Sequence, residues 1–140
     1  MKYFIAILFS IILSSSLFAQ AMASTNELIL ATNIEILNLD LDSDNIEIKE
    51  TKGSRIIIES YIKLTTVSSN ALLSFLVNSG RYSLENKRDV TTQTLNIGCK
   101  KTRNVLLVKG KECEEVIFYK ILVPASVKVV NTKSPIASIK

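Results

Sequence analysis

The chain has no histidine and no tryptophan, and only two cysteines, two prolines and four glycines in 140 residues. Without histidine there is no Ser-His-Asp or Cys-His nucleophile pair and no histidine-ligated zinc or haem. Two cysteines cannot supply four thiolates to a metal. The glycines stand singly at Gly53, Gly80, Gly98 and Gly110, so no glycine-rich phosphate loop of Rossmann or Walker spacing can be written. No serine is paired recognisably with a lysine base. These gaps lead to the expectation of a non-enzyme with no catalytic residue, no metal and no cofactor.

What is present begins with an address. Met1-Lys2 gives a short positive start, and Tyr3 to Leu13 is apolar apart from Ser10. Small residues then reach Ala21-Met22-Ala23, an A-x-A form suited to cleavage. The expected organisation is a helical signal peptide over 1–23 and a single domain over 24–140. A cut after Ala19 or Ala21 fits nearly as well. The apolar run falls short of the roughly 20 residues a membrane span needs, so membrane contact is expected only through an uncleaved leader. The expected location is outside the cytosol: periplasmic, outer-surface associated or secreted.

Removing the leader leaves 49 apolar residues among 117, an ordinary globular proportion. That length can bury one core. Val, Ile and Thr supply 34 of the 117. Such β-branched side chains lose χ1 freedom in helices and pack well on a pleated surface. The expected fold is therefore all-β, an antiparallel sandwich or a short β-solenoid, with one short helix.

Period-two alternation places strands at Asn33–Asp42, Ile46–Lys49 and Arg55–Leu64. A phase slip at Ile36-Leu37 suggests a bulge. Later strands are expected at Thr92–Cys99, Asn104–Lys109, Glu115–Val123 and Ser126–Val130, with Pro124 ending one of them. Residues 70–79 read as the helix, with Ser69 or Asn70 as cap and Gly80 as the closing residue. Its expected apolar face is Ala71, Leu72, Phe75 and Leu76. Val105-Leu106-Leu107-Val108, four apolar residues in a row, is expected to be a core strand.

Several segments in order resemble the adhesin-head-like β domains of exported bacterial envelope proteins. They are Asp44-Asn45-Ile46-Glu47-Ile48, then Gly53 with Arg55-Ile56-Ile57-Ile58-Glu59, then the helix running into Gly80-Arg81-Tyr82-Ser83-Leu84. The last is Val116-Ile117-Phe118-Tyr119-Lys120-Ile121-Leu122-Val123-Pro124 followed by Val127-Lys128-Val129. The resemblance spans about residues 33–130. It implies a repetitive β-architecture, no catalytic motif, and an adhesin-like interaction role with an envelope component or another protein. Family members often continue with further strands after the Pro-terminated one. This chain ends on Pro135-Ile136-Ala137-Ser138-Ile139-Lys140, where another strand would begin, so a truncated or minimal member is expected.

Few residues offer chemistry. In an exported chain, Cys99 and Cys113 read as one disulfide; two buried thiols or a redox pair are the alternatives. Asp40, Asp42 and Asp44 begin like a calcium loop. Asn45 then stands where glycine is wanted and Thr51 where a bidentate glutamate is wanted, so the polar side of a strand and its turn is the simpler reading. Lys100, Lys101, Arg103, Lys109 and Lys111 form a basic hairpin that could bind an anionic glycan or lipid. Charge is uneven: residues 24–60 carry −5 and residues 61–140 carry +8. No aromatic lies among these bases, which disfavours nucleic acid. Arg81 beside Tyr82 is expected to hold a carboxylate and brace helix to strand.

Overall fold

The computed structural model describes residues 20–66, 69–99 and 104–132. Of the signal peptide expected over 1–23, residues 1–19 lie outside them, and Ala21 to Ala23 are strand, the start of Ala21–Leu30. Lys100, Lys101, Arg103 and the stretch from 133 to 140 also lie outside the described residues.

The described chain is mostly strand with one helix. Sheet A is built from β1 (Ala21–Leu30), β4 (Arg55–Leu64), β9 (Glu115–Pro124) and β3 (Ile46–Thr51), adjacent in that order. Sheet B is built from β10 (Lys128–Asn131), β2 (Ile36–Asp40), β6 (Thr94–Cys99) and β5 (Leu84–Asp89), again in that order. A separate hairpin joins β7 (Leu106–Val108) to β8 (Lys111–Cys113). Both large sheets are open.

The sheets are not purely antiparallel. β1, β4 and β9 run antiparallel, but β3 joins β9 in parallel. In sheet B, β10, β2 and β6 are all parallel, and only β5 is reversed. The parallel ladder stacks Leu37 on Leu95 and Val129, and Leu39 on Ile97. Asn38 donates from Nδ2 to Asn96 Oδ1 at 2.9 Å on the opposite side.

The inner faces follow the alternation of β4. Ile56, Ile58, Ile62 and Leu64 are buried, and Ser60 between them is buried too. They meet Ile117, Tyr119, Ile121 and Val123 of β9, and Leu37, Leu39, Leu41, Leu95 and Ile97 of sheet B, in one cluster. The slip at Ile36-Leu37 is real: Ile34 and Leu37 are buried while Ile36 is only half-buried. Asn33, at φ 58°, turns the chain into β2. Ser43 shapes the next turn by donating to Ile117 O at 2.6 Å and accepting from Asn45 N at 3.0 Å.

The helix α1 (Asn70–Asn78) is capped by Ser69, whose Oγ accepts from Leu72 N at 3.2 Å. Gly80, at φ +77°, ends it in the left-handed conformation that a side chain disfavours. The buried face differs from expectation. Leu73 and Leu76 are buried with Leu72 beside them, and Phe75 is 68% exposed. The helix lies against β1, which selects the Leu72–Leu73–Leu76 side. Residues 105–108 also depart from expectation. They form half of the small hairpin, with Val105 and Leu107 exposed and only Leu106 and Val108 against the core.

Candidate functional site

Alternation leaves one side of sheet A facing outward, and that side is unusual in composition. From β1 it carries Met22, Leu28 and Leu30, which are 66%, 62% and 59% exposed. The register sets Leu28 beside Ile57 and Met22 beside Lys63. It sets Ile57 beside Leu122, and Tyr61 beside Phe118. Tyr61 and Phe118 are partly exposed and pack as tilted rings, with centroids 5.9 Å apart at 47°. A cross-strand aromatic pair of this kind stabilises a sheet.

A charged row crosses the middle of this face. Lys120 Nζ lies 3.1 Å from Glu59 Oε2, and Tyr61 donates its hydroxyl to the same oxygen at 3.1 Å. Hydrogen bonds from Lys120 and then Tyr61 hold the Glu59 carboxyl below its ordinary pKa. Bonding to Glu59 raises the Lys120 ammonium. On the other side of Lys120 the register places Glu47, whose Oε1 pairs with Lys49 at 2.7 Å. The row therefore alternates in sign across β4, β9 and β3.

At the start of β9 is a second polar cluster. Arg81 donates to Glu115 through Nε and Nη2, both at 2.7 Å, and Nη2 also reaches Asn104 O at 2.6 Å. Tyr82 donates its hydroxyl to Glu115 Oε1 at 2.6 Å. Glu115 thus ties the segment after α1 to β9, the brace expected from Arg81-Tyr82. Burial, and then the hydrogen bond to Glu115, push the Tyr82 phenol well above the usual tyrosine range. Bonding to Glu115 likewise raises the Arg81 guanidinium.

The two cysteines are thiols in the structure. Cys99 Sγ is 3.4 Å from the Tyr119 hydroxyl and accepts from Asp42 N at 3.3 Å. Cys113 is buried in the small hairpin opposite Leu106. Asp42, Cys113, Glu115 and Ile117 line one open cavity of about 300 Å³. Both cysteines therefore border the segment around Asp42.

Of the expected basic set, Lys109 and Lys111 are placed. They flank Gly110 at the tip of the small hairpin and are exposed. Lys109 at φ 51° and Gly110 at φ 75° give the paired left-handed turn that suits a tight hairpin. On the outer face of sheet B, a groove of about 250 Å³ runs over Gly98, between Asn38, Asp40, Asn96, Lys87 and Thr132. Among the described residues no group of three or more acidic, histidine or cysteine side chains could hold a metal ion.

The outer face of sheet A did not emerge from sequence reasoning because β1 did not. Its signal was present in Met22, Leu28 and Leu30, three apolar residues in one phase. The opposite phase holds Ala21, Ala23, Thr25, Glu27 and Ile29, so neither side reads cleanly as a core. No family model, curated protein or solved structure matches this chain.

Proposed function

We propose that this chain is an exported, non-catalytic β domain acting by surface contact, with a structural or adhesin-like role at the bacterial envelope. The observation that supports this reading is the outward apolar ladder of sheet A, Met22, Leu28, Leu30, Tyr61 and Phe118. Isolated exposed apolar residues are ordinary; here Leu28, Ile57 and Leu122 form one row across three strands and Tyr61 and Phe118 another, on either side of the charged row, and grouped residues of this kind mark a contact surface. The short cleavable leader and the adhesin-head-like order of segments point the same way. The parallel pairs β10–β2, β2–β6 and β3–β9 depart from a plain antiparallel sandwich, and neither sheet orders its strands in chain sequence as the stacked coils of a solenoid would.

The test is fractionation followed by retention. The mature chain is expected in the envelope or medium, and the purified chain is expected to bind isolated envelopes saturably. Full-length protein held in the cytosol, or no retention on envelopes, would overturn the reading.

A second reading is a binding module for an anionic glycan or lipid, using Lys100, Lys101, Arg103, Lys109 and Lys111. It is favoured by the exposed placement of Lys109 and Lys111 on either side of the hairpin tip. Charge reversal at Lys109 and Lys111 should weaken retention on such a ligand and make what retention is left less dependent on salt.

A further inference from the structure

The charge pair at the centre of the outer face of sheet A is arranged to match itself. Glu59 and Lys120 sit side by side midway along the two central strands, and one step along the strands Tyr61 sits beside Phe118. One step the other way, Ile57 sits beside Leu122. A two-fold axis running along the strands, between β4 and β9, exchanges the two members of each pair. It brings Glu59 opposite the partner subunit's Lys120, Tyr61 opposite the partner subunit's Phe118, and Ile57 opposite the partner subunit's Leu122. An isologous interface requires such self-complementarity.

Resting on the surface-contact reading above, we propose that this face is the interface of a homodimer. Two copies pack sheet A to sheet A through β4 and β9, with Glu59 of each meeting Lys120 of the other. Stacked sheets lie close to aligned, within about 30°, so pairs near the middle of the face match best. The Glu59–Lys120 and Tyr61–Phe118 pairs occupy that middle.

Size is consistent with this occupant. At about 3.3 Å per residue and about 4.8 Å between strands, the face projects to roughly 600 Å² before side-chain relief is counted. A specific interface uses about 800 Å² of accessible surface per partner. An anionic membrane fits less well, because Glu59 lies in the middle of the face and Glu47 on its β3 edge. A like-charged approach there is penalised, whereas a second copy supplies Lys120 opposite Glu59.

Sedimentation equilibrium of the exported chain should show a concentration-dependent dimer. Tyr61→Glu should make it monomeric. Leu107→Glu, on the exposed side of the small hairpin, should leave it dimeric. Glu59→Lys should weaken the dimer by about tenfold or more, and Glu59→Lys with Lys120→Glu should recover most of the loss, as close charge pairs at interfaces do. Circular dichroism checks that each variant is folded; if Tyr61→Glu is not, Leu28→Lys replaces it. A folded wild type that stays monomeric to about 100 μM, a range in which weak dimers are still seen, overturns the proposal. So does a double variant no stronger than Glu59→Lys, or a wild-type monomer that floats with phosphatidylglycerol vesicles. A monomer that still binds envelopes overturns the dimer alone. A dimer that ignores envelopes overturns the surface-contact reading alone.

Discussion

Arg81 holds Glu115 with two 2.7 Å bonds, while Tyr82 donates to the same carboxylate at 2.6 Å. Both ionic side chains are about 15% exposed, so little water can replace a lost partner. Glu115→Gln should destabilise the fold by about 2–4 kcal/mol, toward the range seen when one member of a buried pair is removed. Replacing both partners, Arg81→Met with Glu115→Met, should cost less than Glu115→Gln. Chemical denaturation of the three proteins measures this; a double variant weaker than the single would contradict it.

Tyr82 makes this brace sensitive to alkali. Its pKa is raised in the folded state above the ordinary 10.0, first by burial and then by the bond to Glu115. The proton is therefore bound more tightly when folded. The associated stability is fully present below the unfolded value and is lost as pH rises toward the folded one. Melting temperature should fall more steeply above pH 10 in the wild type than in Tyr82→Phe. Parallel slopes would rule this out.

The helix face offers a simple contrast. Leu73→Ala should cost about 2–4 kcal/mol through loss of buried methyl groups and the cavity left behind. Phe75→Ala should lie within about 0.5 kcal/mol of wild type, as surface changes do. Equal effects would place the helix in a different rotation.

Strand β1 bears on where the expected leader would be cut. Ala21, Met22 and Ala23 pair with Leu64, Lys63 and Ile62, and Ala21 is fully buried. A chain beginning at Gln20 should exceed one beginning at Ser24 by about 1–3 kcal/mol, from the ladder bonds and apolar burial restored. Mass spectrometry of the exported chain is expected to find cleavage after Ala19, which spares the whole strand.

Cys99 and Cys113 both border the segment around Asp42. In an oxidising compartment they are expected to join, closing a loop of about 15 residues worth roughly 3 kcal/mol in the chain-entropy model. Thiol titration of unfolded exported protein should find no free thiol, and reductant should lower the melting temperature. Two reactive thiols would refute the link.

Strands were legible where one side was buried and the other wet. β4 and β9 show this, with Ile56, Ile58, Ile62 and Leu64 alternating against Glu59 and Lys63. The capped helix was legible from Ser69 and Gly80. β5 was not, because Leu84 is its single buried residue and Glu85 to Asp89 are all exposed. β1 was obscured by apolar residues on both sides. Val105 to Val108 misled in the opposite direction, since an apolar run tells nothing of how many of its residues the core can take. The Arg81–Glu115 brace was half-legible: the adjacent Arg and Tyr suggested an acid, but its position 34 residues away is a property of the tertiary fold.

The place of β9 in the chain sets the order of assembly. Sheet A has β9 between β4 and β3, yet β9 is nearly the last element made. Until residue 124 is available, β3 has no neighbour and β4 has only β1. Contacts of such long sequence separation form slowly. On the export route proposed above, this delay would leave sheet A incomplete, and the chain easier to thread unfolded, until β9 has been made.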